Sequence, residues 1–383
     1  MTLHLAVSLA GSGYHPAAWQ VSPLPAKPSA AAIQAMARTA ERGRLDAILL
    51  GVPVEGAPVS ENGRVNTMQL DPLPLLGSLI GVTQQIGVGA AWTVDYTEPY
   101  NVARVFATLD HLSYGRTAWI VRMFETDALA PRIGRASGLD DLAAYCARAA
   151  EFVDVVKELW DSWEDEAFAL DKESGMFVDP ERVHPIHHVG RSFSVRGPLN
   201  VPRPPQGYPV LVQSDPATVI GRRLAAATAD VVLTSSPSLP QAEARYQELH
   251  ALAEEAGCLA HDLRILANMV FVLGETESVA QRRAAELDAL VPQDAATPRF
   301  VGTPGQFAAL MVTLHEQHIC DGFNLLPAVL PHDLDLLVDA VLPLLQRHGA
   351  FRSEYAGNTL REHLGLSRPR SQYATGMVER TRP

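Results

Sequence analysis

The sequence predicts a single (β/α)8 barrel of the TIM type. Eight short apolar runs alternate with amphipathic helical stretches along the chain, a pattern typical of parallel strands joined by helices. Eight such repeats favour closure into a barrel over an open sheet, and 383 residues is an ordinary length for a barrel with insertions. No shift in composition marks a domain boundary. We therefore expect one barrel domain over 1–366, followed by a polar tail over 367–383 that frays.

The first half of the chain supplies four predicted strands and the helices that follow them. Residues 3–10 are apolar and predict the first strand. Ser29 is expected to cap a helix over Ala30–Arg42, whose apolar residues fall on one face, and Gly43 is expected to end it. The remaining predicted elements are strands at 47–50, 86–91 and 117–121, and helices at 72–83, 99–109 and 140–160.

The second half predicts four more strands after an unusually long connection. Residues 161–208 are rich in Pro, Gly, His and charge, and the segment is too long for an ordinary loop. We expect it to be an insertion near the C-terminal mouth of the barrel, where barrel active sites lie. The predicted strands are 209–213, 231–234, 263–273 and 322–325, and the helices are 220–229, 241–256, 278–290, 305–318 and 334–346.

Charge and cysteine usage limit the class of partner and the compartment. The chain has 31 Lys and Arg against 43 Asp and Glu, a net charge of −12, which repels nucleic acids and anionic membrane surfaces. No apolar run approaches the roughly 20 residues of a membrane span. Cys146, Cys258 and Cys320 are far apart and form no CxxC pair, as expected in a reducing cytoplasm. We therefore predict a cytoplasmic protein whose partners are neither nucleic acid nor membrane.

Four stretches of the sequence resemble one family. They are similar to segments of the reduced-flavin monooxygenases of the bacterial-luciferase superfamily, in the branch of the nitrilotriacetate, pristinamycin IIA synthase and dibenzothiophene-sulfone monooxygenases. The likeness extends over nearly the whole chain. The stretches are 109–116, 151–163, 193–203 and 321–327, the last together with the chain-end segments 351–355 and 360–366.

The resemblance implies a function as well as a fold. Members of this family bind reduced FMN from a separate reductase at the C-terminal ends of the barrel strands and oxygenate a small organic substrate with dioxygen. The flavin carries out the chemistry, while the protein orients it and excludes water. The resemblance also implies a homo-oligomer.

The resemblance places seven residues around the flavin. Thr93 would touch it, Trp92 and Ile120 would wall its ring, and Gln213 and Ser214 would flank its phosphate. We expect six of the seven to line one cavity, and no catalytic acid or base is assigned. The full set is Val52, Trp92, Thr93, Ile120, Cys146, Gln213 and Ser214, of which Gln213 is outside the cavity prediction.

Several family positions are substituted. Val52 replaces an Asp, Ile120 replaces an Asn, and Leu142 and Cys146 replace a His and a Tyr that reach the phosphate. Ser-Asp-Pro-Ala at 214–217 replaces a Gly-Ser-Ser loop, and a phosphate loop needs close backbone amides and hydroxyl donors. Proline removes one of those donors, and the Asp adds a repelling charge. The substitutions predict that FMN binds weakly, or through donors such as Arg148 and Arg222.

Three functions therefore stay open. The first is an FMN-linked monooxygenase, the second is a flavin-free paralogue that binds a ligand or serves as a partner subunit, and the third is an enzyme of the same fold that uses the emptied site differently. An FMN titration separates the first from the other two. His184, His187 and His188 lack the spacing of a zinc site, so no metal is expected, and the Asp110-His111 pair is expected to serve structure at the bottom of the barrel.

Overall fold

Eight parallel strands close into a barrel, which confirms the predicted fold class. The computed structural model describes residues 2–25, 29–52, 70–123, 141–258, 262–292 and 298–374. Each strand pairs in parallel with the next one around the ring, and the last pairs with the first. In chain order, β1 to β8 are His4–Ser8, Ala47–Leu50, Gly87–Thr93, Thr117–Arg122, Val210–Ser214, Val231–Thr234, Arg264–Leu273 and Gly322–Pro327.

Helices surround the ring and return the chain from the carboxyl end of one strand to the amino end of the next. Ser29 caps its helix as predicted, its hydroxyl accepting a hydrogen bond from the Ala32 amide. A short strand, Arg299–Gly302, pairs with the end of β7 outside the ring. The helices are Ala18–Val21, Ala30–Arg42, Pro72–Ile80, Pro99–Ser113, Leu142–Asp161, Val219–Thr228, Leu239–Glu255, Glu277–Leu290, Pro304–Glu316, His332–Leu336, Leu342–Arg347 and Leu360–His363.

The core has an inner and an outer layer because successive residues of a strand point to opposite faces. Small and branched side chains fill the inside of the ring, and three leucines close its amino-terminal end: Leu360, Leu364 and Leu366. The outer layer packs the strands against the helices and contains most of the large aromatic side chains. No helix within the described ranges combines the length and apolar character needed to cross a bilayer.

The segment between helix Leu142–Asp161 and β5, here called the excursion, first forms a hairpin of Phe168–Asp171 with Met176–Val178 and then packs its residues 188–195 along that helix. His188 lies 3.0 Å from a carboxylate oxygen of Glu158 and 3.4 Å from one of Glu151. Glu151 also accepts hydrogen bonds from the backbone amides of Ser192 and Phe193. A two-stranded hairpin of the excursion, His188–Val189 with Ser194–Val195, is thereby held along the helix.

The excursion then returns to β5 across the amino-terminal end of the barrel. Arg203 donates to Asp161 at 2.9 Å, and the side-chain amide of Gln206 donates to Asp110 at 2.6 Å, next to the start of β4. The excursion therefore begins and ends at the amino-terminal end rather than over the C-terminal mouth, while its Phe193 reaches along the helix to Arg148, which donates to the Val94 carbonyl just after β3. A barrel helix runs antiparallel to the strands, so an insertion after the helix begins and ends at the amino-terminal end of the ring.

The start of the C-terminal tail packs on the same end, contrary to the expected fraying. Arg368 makes a bidentate pair with Asp165 at 2.8 and 2.6 Å, and the Tyr373 ring stacks on His184 with centroids 3.9 Å apart. These contacts cover residues 367–374 only, since 375–383 lie outside the described residues. The excursion and the start of the tail therefore hold each other in place through these contacts.

Asp110 serves structure at this end, as predicted. It is fully buried and accepts hydrogen bonds from the Gln206 amide, the Gln206 side chain and the Thr117 amide. Burial raises the pKa of Asp110 to about 6, against the lowering effect of these donors. Asp110 thus ties the end of the excursion to the first residue of β4.

Candidate active site

A row of four polar residues crosses the inside of the barrel, from Ser8 at the end of β1, across the middle of β8 and β7, to Ser235 just after β6. Ser8 donates to the side-chain oxygen of Asn324 at 2.9 Å. Asn324 donates to the side-chain oxygen of Asn268 at 2.8 Å, and Asn268 donates to the Ser235 hydroxyl at 3.0 Å. We call these four residues the polar row.

The Ser8 end of the polar row is buried and hydrogen-bonds the side chain of Tyr14, whereas the Ser235 end is accessible. Ser8 and Asn324 are 0% exposed, Asn268 is 7% exposed, and Ser235 is half-buried. None of the four residues is among those predicted from the sequence, although a polar residue inside an apolar strand, such as Asn324 in Gly-Phe-Asn-Leu-Leu, is a usable signal. Its four members can be recognised together only once the barrel has closed.

Apolar side chains also cluster inside the ring, and most of them come from strands that carry no member of the polar row. Val52, just after β2, and Ile120 on β4 are both buried in this cluster, together with Val212 on β5. Ala91 on β3 packs against it. The structure therefore brings two of the predicted site residues, Val52 and Ile120, into one apolar inner wall.

The end of β3 forms a hydrogen-bonded group at the mouth. The Thr93 hydroxyl donates to one carboxylate oxygen of Asp95 at 3.0 Å, and the Tyr145 hydroxyl donates to the other at 2.8 Å. Arg122 on β4 is the cross-strand partner of Thr93, and burial lowers the pKa of its guanidinium. Thr93, a predicted site residue, thus lies in this group together with Tyr145, an aromatic residue that the sequence also offers for a cavity at the strand ends, whereas Asp95 and Arg122 are not among the predicted residues.

Three predicted site residues lie in the outer layer instead. Trp92 packs against Phe106 with ring centroids 6.1 Å apart, and Cys146 is buried in the same outer cluster. Gln213 donates to the Thr228 hydroxyl at 2.6 Å, toward the surrounding helix. The expectation that Trp92 and Cys146 share one cavity with Val52 and Ile120 is therefore wrong. Adjacent strand residues point to opposite faces, so Trp92 and Thr93 cannot both face inward.

The loop after β5 carries a charge-balanced cluster. Asp215 is only 7% exposed at its side chain and is paired with Arg245. Arg245 lies 3.2 Å from Glu248, and Arg222 donates to Glu248 at 2.8 Å. We call these four residues the loop cluster. The positive charges of its two guanidinium groups balance the negative charges of its two carboxylates.

Hydrogen-bond donors around this loop are already engaged. Arg222 donates to the Ala217 carbonyl at 2.8 Å, and Thr218 caps the following helix by accepting from the Gly221 amide. Arg148 donates to the Val94 carbonyl at 3.2 Å, and its guanidinium lies 4.9 Å from the centre of the Phe193 ring. Arg148 and Arg222, the donors considered for a phosphate, are thus both committed to the protein itself. Ser214, the first residue of this loop, ends β5 and is partly exposed.

These groups suit one part of FMN better than the other. An uncharged polar row beside an apolar wall matches a flat ring with carbonyl and N–H groups. A dianionic phosphate needs several convergent donors, whereas the loop cluster presents a carboxylate and paired guanidinium groups. The residues present fit the flavin ring, and as arranged they do not fit the phosphate. Within the described ranges, no group of three or more His, Cys, Asp or Glu side chains is placed to hold a metal ion.

Comparison with known proteins gives concordant matches. Residues 8–331 match the family model described as luciferase-like monooxygenase. N-acetyl-S-(2-succino)cysteine monooxygenase of Bacillus subtilis (strain 168) is 35% identical, over 97% of this chain and 98% of that protein. Dibenzothiophene-sulfone monooxygenase of Rhodococcus erythropolis is 36% identical, over 88% and 90%. The structure of EDTA monooxygenase from Chelativorans sp. BNC1 superposes with a TM-score of 0.86 at 29% identity, covering 96% of this chain and 99% of that one.

Proposed function

The chain belongs to the luciferase-like monooxygenase family, and on that premise we propose that it oxygenates a small organic molecule with reduced FMN delivered by a separate flavin reductase. The branch inferred from the sequence is confirmed by the dibenzothiophene-sulfone relative. The observation that carries the proposal is the inner face of the barrel, where a neutral polar row meets an apolar wall. That combination is suited to a flavin ring and an uncharged organic substrate.

The chain's own residues supply binding and exclusion of water. Reduced flavin, when bound, supplies the electrons that activate dioxygen. The polar row would hold the polar edge of the ring, while Val52 and Ile120 would keep its apolar face dry. The Thr93 hydroxyl, oriented by Asp95, would border the ring at the end of β3. Trp92, Cys146 and Gln213 would act from behind this surface by packing the strands against the helices.

At the phosphate end we propose Arg245 as the counter-ion, with Ser214 beside it. Arg245 would have to exchange its pair with Asp215 for a pair with the phosphate. That exchange costs an existing partly buried ion pair, so FMN should bind little more tightly than riboflavin, which has the same ring and ribityl chain without the phosphate. The substituted loop thus changes which part of the flavin contributes most to binding.

The proposed cell location and assembly rest on the sequence and on the family resemblance. We propose that residues 1–366 act as one domain, in the cytoplasm and as a homo-oligomer. The three cysteines are free, as expected in a reducing compartment. The net charge of −12 favours small-molecule partners over nucleic acids or anionic membranes.

An anaerobic titration with reduced FMN and reduced riboflavin tests the proposal. We expect both to bind in this titration, and in a separate aerobic assay we expect oxygenated product only when dioxygen, a flavin reductase and NAD(P)H are all supplied. The engaged donors of the loop cluster favour a second candidate, a flavin-free paralogue. If neither flavin binds at concentrations up to the millimolar range, the flavin-free function replaces the first.

A further inference from the structure

We propose that Ser235 is the hydrogen-bond donor that the barrel presents to a carbonyl oxygen of the bound flavin ring. Asn268 and Asn324 are the positioning residues that fix the direction of its hydroxyl. The inference rests on the proposed function, since it names the kind of flavin atom that the same site binds. Ser235 was not among the residues predicted from the sequence.

The direction of the hydrogen bonds along the polar row singles out Ser235. Ser8 donates to Asn324, Asn324 donates to Asn268, and Asn268 donates to the oxygen of Ser235. A serine hydroxyl carries one hydrogen and two lone pairs. Because the Ser235 oxygen accepts from Asn268, the Ser235 hydrogen is directed elsewhere.

Burial makes Ser235 the member that a ligand meets. The three other members are almost completely buried inside the ring, whereas Ser235 is half-buried just after β6, at the carboxyl end of the barrel. Consecutive hydrogen bonds in a low-dielectric interior polarise one another. The buried part of the row therefore strengthens the donor at its accessible end.

The composition of the row determines the chemistry of the acceptor. All four side chains are uncharged, so the row offers no counter-ion to a carboxylate or a phosphate. A neutral carbonyl, such as those on the pyrimidine edge of a flavin, matches a single polarised hydroxyl donor. A barrel interior needs no polar groups for stability, and burying two asparagines is costly unless every polar atom is paired. A role in recognition accounts for their presence.

The test measures binding of three flavins that share one ring: lumiflavin, which lacks the ribityl phosphate, riboflavin and FMN. For Ser235→Ala we expect all three dissociation constants to rise together by about 3- to 10-fold, the loss of one neutral hydrogen bond. The absorption band of the bound flavin should shift toward that of the free flavin. Ser235→Thr keeps the hydroxyl and should retain affinity, and Ser236→Ala, next to the row but outside it, should leave all three unchanged.

Asn268→Asp tests the positioning role separately. The aspartate can still accept from Asn324, but it offers an acceptor to Ser235 and draws the hydroxyl away from the ligand. All three flavins should weaken although Ser235 is intact, and thermal melting should confirm that the variant is folded. If lumiflavin binds the native protein and Ser235→Ala changes its affinity less than twofold, the inference is overturned and the proposed function stands. If no flavin binds the native protein, both fail.

Discussion

Asp215→Asn should convert a protein that barely distinguishes FMN from riboflavin into one that prefers FMN. In the native protein the Asp215 carboxylate is paired with Arg245. Arg222, Arg245, Asp215 and Glu248 together carry no net charge. The substitution keeps the side-chain shape and leaves the cluster with a net charge of +1, because Arg245 then retains only Glu248, at 3.2 Å.

The size of the expected change in FMN affinity follows from the guanidinium of Arg245, which is released from its pair with Asp215. A hydrogen bond between charged groups contributes about 1.5–3 kcal/mol, which corresponds to a decrease of roughly 10- to 100-fold in the dissociation constant of FMN. Riboflavin lacks the phosphate, so its affinity should change less than about twofold. Because the gain is electrostatic and partly exposed to solvent, it should shrink as salt is raised.

Fluorescence titration with both flavins at low and high salt measures the effect. Asp262→Asn is the matched control, since it removes the same charge from the amino-terminal end of the barrel, where Asp262 accepts from Ser367. It should leave both affinities unchanged. An equal change in FMN and riboflavin affinity, or an unchanged FMN affinity in Asp215→Asn, would refute the assignment of this loop to the phosphate.

Three further predictions concern the layers around the site. Cys146→Tyr, which restores the residue typical of the family, should lower the free energy of unfolding, measured in urea, by about 1–3 kcal/mol, because Cys146 is packed in the outer layer. It should not tighten FMN binding. Tighter FMN binding at unchanged stability would contradict this prediction. The difference in stability between native protein and Asp110→Asn should depend on pH, because burial raises the folded pKa of Asp110 from 3.8 to about 6. The stabilising effect is complete below pH 3.8 and is lost as the pH rises through 6, a total of about 3 kcal/mol in urea titrations from pH 3 to 8; a flat difference would refute it. Arg203→Met should cost about 3–5 kcal/mol and speed proteolysis of the excursion, because it leaves the Asp161 carboxylate, 1% exposed, without its cation. Flavin affinity should stay within twofold, and a collapse of affinity at unchanged stability would show that the excursion reaches the mouth.

The sequence by itself determined the barrel, because strand and helix signals are local. Apolar runs and helical periodicity are properties of neighbouring residues, and each of the eight predicted strands lies where the structure has one. The structural role of Asp110 was equally readable, since a residue at the end of a helix that precedes a strand must lie at the amino-terminal end of the ring. Family resemblance extended this reading to the flavin and the reductase.

The sequence indicates only in part which side chains point into the barrel and which point toward the helices. Alternation along β3 and β5 implies that Trp92 and Thr93, or Gln213 and Ser214, face opposite layers, yet the family positions alone grouped them together. The position of the excursion has a related explanation. Its length predicts an insertion, whereas its attachment between a helix and the next strand determines that it begins and ends at the amino-terminal end of the barrel.

Only the tertiary structure decided which polar groups meet. Ser8 and Asn324 are hydrogen-bonded although 316 residues separate them, and Asp215 finds its cation, Arg245, on the helix that follows the next strand. Neither pairing has a local signature, because closure of the ring brings the first strand against the last and sets every inward side chain beside partners from other strands. The barrel could be read from neighbours in sequence, whereas its binding surface is made by neighbours in space.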